Sequence, residues 1–180
     1  MEGENARYKA NDVILYATHG VCEIMEVAEK NLRGNPMEYY VLKPLYYDKC
    51  TIYVPVANED LTVKMRRLLS VSEICALIEA MPSEGAVWTE DEGKRAEECK
   101  GILDRGDRTE LVRLVKALYS HQQSQRSKGK KLSIADDHFM KEAEKMLYEE
   151  FAHVLDIKRE QVLPFIIERI RVKEKEKVRR

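Results

Sequence analysis

The chain carries a single tryptophan, Trp88, in a setting suited to recognition. It follows the break Pro82-Ser83-Glu84-Gly85 and precedes the helix-start signal Thr89-Glu90-Asp91-Glu92, off any apolar stripe. An indole placed there can do one of two things. It can bury its ring as a staple at the start of a helix, or it can stay exposed and stack on, or wedge beside, a nucleic-acid base. Lys94 and Arg95 follow within two turns, and Lys100 after them. The stretch 124–131 adds Arg126, Lys128, Lys130 and Lys131 with no acid among them. Such groups can meet phosphate, although a charged run taken alone is more often a solvated face.

Catalytic chemistry finds less support. The sequence holds no phosphate loop, no G-x-G-x-x-G after a strand, no H-E-x-x-H and no nucleophile elbow. His19 and Cys22 could form a nucleophile pair, but nothing in sequence supplies the orienting third group. A histidine beside Gly20 in a turn reads as structural. The carboxylates gather in helix-starting clusters, where they complement the helix dipole. Cys22, Cys50, Cys75 and Cys99 are widely spaced and form no C-x-x-C pair, so free thiols are expected rather than a metal knuckle. No enzyme activity, cofactor or metal is predicted.

The totals narrow the partners. Lys and Arg number 31 against 32 Asp and Glu, for a net charge of −1, so nucleic-acid binding would have to use local patches. No run of 18 apolar residues suggests a membrane span, and the polar start MEGENARYKAND lacks the apolar core of a signal peptide, which predicts a cytoplasmic protein.

The elements that must position these residues fall into two halves. Val, Ile, Tyr and Thr concentrate in residues 12–56, broken by turn signals at short intervals, and predict strands at 13–16, 21–27, 38–43 and 51–56. A short fifth strand is expected at 61–63. Pro55 fits an edge or strand end, because it cannot donate to a ladder. So many short strands bury one face by curling into a barrel-like sheet. From residue 70 onward the period is helical. Ser70 or Ser72 caps a helix to Met81, and Thr89 opens one to about Asp104 that Gly106 stops. The Asp107 box opens the next, with Leu111, Leu114, Val115, Leu118 and Tyr119 on its stripe. Ser133 caps a helix whose face runs Phe139, Ala143, Met146, Leu147 and Phe151. A last helix passes Pro164 into a charged tail expected to fray.

Taken together, NDVILYATHGVCEI, EYYVL, TIYVPV, the lone Trp88, Arg105-Gly106-Asp107 and Leu132-Ser133 resemble the CarD/CdnL family of bacterial transcription regulators over about residues 8–157. The first part also resembles the polymerase-interacting module of transcription-repair coupling factor. The resemblance implies an α+β chain with a Tudor-like antiparallel β barrel at residues 1–67, a helical domain at 68–172 and a charged tail at 173–180. It implies that the barrel binds the RNA polymerase β subunit through Lys30, Asn31 and Leu32, with Tyr53 on the neighbouring strand. It also implies that the helical domain contacts promoter DNA at the upstream edge of the bubble. There Trp88 wedges into the minor groove, with Lys94 and Arg95 aligned beside it, and Lys130 and Lys131 of the basic loop are expected to add phosphate contacts. Family members place basic residues directly after the tryptophan; here Glu90, Asp91 and Glu92 intervene, so DNA contact is expected to be weak, largely non-specific and dependent on tethering. The expected protein is a monomeric regulator that stabilises the open promoter complex. The alternative is an adaptor whose helices bind protein rather than DNA.

Overall fold

The computed structural model describes residues 7–16, 19–32, 34–46, 50–81 and 88–178. The chain divides into two units, Met1–Leu68 and Leu69–Arg180. The first is a sheet of β1 (Val13–Tyr16), β2 (Val21–Lys30), β3 (Met37–Pro44), β4 (Ile52–Pro55) and β5 (Met65–Arg67), with α1 (Glu59–Thr62) between the last two strands. Each paired strand runs antiparallel, in the order β4-β3-β2-β1-β5. Alternate residues supply the core: Ile14, Tyr16, Cys22, Ile24, Tyr40, Leu42, Val54 and Met65. Tyr8 seals it from the side, donating to the Met65 carbonyl at 3.0 Å and meeting Tyr40 edge-on.

The α+β class and the order of its halves stand, but two expectations change. Among the described residues no ladder joins β4 to β5, so the sheet is open rather than closed into a barrel. The fifth strand is not at 61–63. Asn58 accepts the Leu61 N–H and caps α1, and the strand forms after it, at Met65–Arg67, against β1. Pro55 lies on an edge strand, as its missing N–H requires. Val56 N–H donates to the Glu38 carbonyl, so strand alternation turns residue 54 toward β3 and residues 53 and 55 outward.

The second unit holds α2 (Val71–Ala80), α3 (Glu92–Arg105), α4 (Arg108–Ser127), α5 (Ile134–Leu155) and α6 (Arg159–Val178). Of the two candidate caps it is Ser70 that serves α2. Its hydroxyl accepts the Glu73 N–H, and the Glu73 carboxylate accepts the Ser70 N–H, a full capping box. Gly106 ends α3 at φ 60°, where a Cβ would also press on Met146. Ile74, Ile78, Leu103, Leu111, Leu118, Met146, Phe151 and Val162 form one core drawn from all five helices. Tyr119, expected on the buried stripe of α4, is 56% exposed; Val112 is buried instead. The pre-α3 break at 82–85 lies outside the described residues. The end of α6 stays helical to Val178 instead of fraying, with Arg169 and Lys173 both paired to Glu79 of α2.

Glu150 of α5 is fully buried and organises the entry to this unit. It takes Arg108, the first residue of α4, at 2.7 and 3.0 Å, and it accepts the Leu69 N–H at 2.9 Å. Removing one partner of a buried pair strands the other's charge away from water. Arg108→Ala is therefore expected to destabilise the helical unit by about 3–5 kcal/mol, read as a lower urea midpoint by circular dichroism.

Candidate nucleic-acid and partner interfaces

Trp88 is half-buried and held by side chains from two helices, one of them fixed in turn by a third. His121 of α4 stacks on the indole, 3.9 Å between ring centroids and 16° from parallel. The Arg95 guanidinium of α3 lies 4.4 Å from the ring centroid, within cation–π range. Asp136 of α5 grips that guanidinium with both oxygens, at 2.9 and 3.0 Å. The third guanidinium nitrogen donates to the carbonyls of Thr89 and Glu90, at 2.8 and 3.2 Å. One arginine thus fixes the backbone just after Trp88, one face of α3 and the first turn of α5. The indole Nε1 is buried with no hydrogen-bond partner.

Arg95 was expected to serve phosphate. It is 8% exposed, and its donors are occupied by Asp136, Thr89 and Glu90, so its place is beneath the tryptophan rather than on the surface. The expected Thr89 cap also moves. Asp91 caps α3 by accepting the Lys94 N–H, and the Thr89 hydroxyl donates to Glu98 instead. Lys94 is exposed on the first turn of α3, behind the exposed acids Glu90, Asp91 and Glu92. Lys130 and Lys131 are exposed in the α4–α5 loop with Lys128, and Arg126 is exposed on the last turn of α4. That loop folds back on α4 near the Trp88 stack: Lys130 N–H donates to the Gln125 carbonyl, and the Gln125 side chain meets His121 at 3.1 Å. Gly129, at φ 68°, makes the reversal possible.

His121 and Asp136 were not anticipated. A signal existed for their neighbour: Arg95, Cys99 and Leu103 recur at helical spacing and are all buried, so the arginine lies on the core face of α3. Burial pushes the Cys99 thiol up to about 11, leaving it neutral. Of the other candidate pair, Cys22 is buried and His19 is exposed and stacked on Tyr16. Among the described residues no group of His, Cys, Asp and Glu could hold a metal ion, and no helix is long and apolar enough to cross a membrane.

In the first unit Lys30 ends β2, with Asn31 and Leu32 exposed just beyond it. Tyr53 is on β4, two strands from β2 rather than on its neighbour, because β3 runs between them. The register still gathers them. Lys30 pairs with Met37, and Glu26 with Val41, which pairs with Tyr53, so these side chains share one face. Lys30 Nζ lies 2.6 Å from the Glu26 carboxylate, and that bond raises its pKa. Leu32, Met37, Tyr39 and Tyr53 line a depression of about 730 Å³, with Tyr39 and Tyr53 edge to face at 6.3 Å.

Burial alone would raise the Asp136 pKa, but the bonds from Arg95 and Ser133 outweigh it and hold the carboxylate below its ordinary 3.8. A depressed folded pKa gives stability that is present above the unfolded value and lost as pH falls through the folded one. The wild type should therefore lose this contribution only below about pH 4. Asp136→Asn should lower stability at pH 7 by about 3 kcal/mol and flatten the acid limb, measured by urea titration of indole fluorescence from pH 7 to 3.

Comparison with known families gives two matches. The model described as CarD-like/TRCF RID domain matches residues 8–69, and the model described as CarD, C-terminal domain matches residues 68–166. Comparison with curated proteins gave no match.

Proposed function

Because the chain belongs to the CarD family and is an RNA polymerase-interacting transcription regulator, we propose that its first unit docks on the polymerase β subunit and its second steadies the open promoter complex from the side. The observation that carries the DNA half is the mounting of Trp88. A half-buried indole, stacked on His121 and underpinned by Arg95, is fixed in place without being fully enclosed. The exposed cations of the α4–α5 loop are anchored through Gln125 to the same stack. An apolar wedge of this kind stabilises a distorted base step by filling the space left on unstacking. It needs no base-specific hydrogen bond, so minor-groove contact is weak and largely indifferent to sequence. Lys94, Lys130 and Lys131 supply phosphate contacts, and Arg95 acts on the wedge as a positioning residue. The protein works as a cytoplasmic monomer.

The polymerase half rests on Lys30, Asn31, Leu32 and Tyr53, which the fold brings to one end of the sheet. Main-chain groups are open there for strand addition. Alternation turns Tyr53 of β4 outward, and beyond Ile24 β2 pairs, among the described residues, only with β3, which turns Val27 and Glu29 outward. Joining two weak contacts through one chain raises the effective concentration of each.

One observation favours a protein-binding helical unit instead: Glu90, Asp91 and Glu92 are exposed beside Trp88 while Arg95 is withdrawn. A photoreactive group at position 88 discriminates, by crosslinking either fork DNA or protein in the promoter complex. Trp88→Ala should retain polymerase binding and shorten open-complex lifetime about tenfold, roughly 1.4 kcal/mol, measured by competitor challenge; an unchanged lifetime rejects the wedge. Lys30→Ala combined with Leu32→Ala should abolish co-purification of the β subunit, and full retention would move docking elsewhere.

A further inference from the structure

We propose that the recess beside Trp88, between α3 and α4, binds a single neutral ring that carries both an N–H and a C=O, as the lactam edge of a pyrimidine does. The site stands whether or not the indole also meets DNA. The recess holds about 170 Å³. Its floor is apolar: Cys99 of α3 and Leu114, Ala117 and Leu118 of α4 all line it and are buried. Small side chains at Cys99 and Ala117 leave room that a leucine at either place would take up. A cavity of roughly 150 Å³ accepts one benzene ring, so the space fits one ring and not two.

The polar groups of the lining set the chemistry. Trp88 forms part of the wall, and its Nε1 is a buried donor that meets no acceptor among the described residues. An acceptor on the occupant would recover the free energy lost by leaving that donor unmet. Glu98 and Glu110 also line the recess. Glu98 accepts the Thr89 hydroxyl at 2.8 Å, and Glu110 accepts from Arg105 at 2.8 and 3.0 Å. A carboxylate offers about four lone-pair sites, so both retain capacity for a further donor. The complement is an occupant with one C=O for the indole and one N–H for a carboxylate.

The charges of the lining balance, Arg95 and Arg113 against Glu98 and Glu110, which favours a neutral occupant. Arg95 spends its donors on Asp136, Thr89 and Glu90, so an anion would meet two carboxylates with one of the two arginines already engaged. Two sources carry the required chemistry: a free pyrimidine, and an unpaired thymine of a melted strand. Either one, bonded to Nε1, would hold the indole more firmly than its stack alone.

The test uses the one tryptophan of the full chain, whose indole N–H gives a single nitrogen–proton signal by NMR. Uracil should move that signal downfield and saturate with a Kd of about 1 mM, the scale open to so small a ring. Benzoate, similar in size but anionic, should bind roughly tenfold more weakly or worse. Ala117→Leu fills the recess and should abolish the uracil shift. Should that variant lose its native circular dichroism, Glu98→Leu at the exposed rim removes one acceptor instead and should weaken uracil about tenfold. A short oligothymidylate that competes with uracil assigns the site to an unpaired base; one that leaves the uracil shift intact assigns it to a free ring. If uracil never moves the signal, the recess holds solvent only and the proposal falls. An equal shift in natively folded Ala117→Leu, unchanged affinity in Glu98→Leu, or benzoate binding as well as uracil overturns it too.

Discussion

The ion pair between Arg95 and Asp136 is the constraint on which the second unit's surface depends. Two charges at 8% and 3% exposure gain little net free energy from each other, because desolvation offsets most of their attraction. What the pair supplies is geometry. A guanidinium presents donors in a fixed planar fork; two meet Asp136 and a third nitrogen reaches the Thr89 and Glu90 carbonyls. An apolar residue of equal volume could pack α3 on α5, but it could not bind those carbonyls. The peptide leading from Trp88 into α3 would then lose its anchor, and the indole would rest on the His121 stack alone.

Ser133 extends the same logic. Its hydroxyl accepts the Asp136 N–H as a helix cap and also donates to the Asp136 carboxylate at 2.8 Å. The cap that starts α5 thereby orients the acid that holds Arg95, which in turn lies under Trp88. Local helix-start chemistry is coupled to the placement of an aromatic ring on another segment. The buried Glu150 plays a parallel part, since it joins α5, the start of α4 and the first residue of the unit. Both carboxylates are on α5, so that helix is the scaffold and the others are positioned against it.

Much of this was legible in the sequence, and the gaps have physical reasons. Strands with alternating Val, Ile and Tyr between turn signals were readable because a half-buried sheet needs that period. α1 was missed because a single turn, EDLT, has too few residues to show one; only Asn58 as a cap announced it. The open sheet could not be foreseen, since closure depends on how the edge strands meet and not on their composition. Arg95 lies on the core face because it shares helical spacing with Cys99 and Leu103, a pattern that its charge masks in the sequence. Glu149 and Glu150 look like any solvated pair on a helix, and both have 0% exposure. Their partners, Arg108 and Arg159, lie on other helices, so no local pattern marks them.

The first unit resolves a conflict common to sheets used for recognition. An open edge must accept one partner strand without accepting every other strand. Here β4 is only four residues long, and Pro55 removes an outward N–H from it. That limits indiscriminate pairing by leaving few main-chain bonds to make. A contact with so few bonds must take its selectivity from side chains, and Leu32, Met37 and Tyr53 are exposed at that end while the opposite face of the sheet is buried in core. On the docking proposed above, the features that weaken the edge as an aggregation site are the ones that move recognition onto the depression beside it.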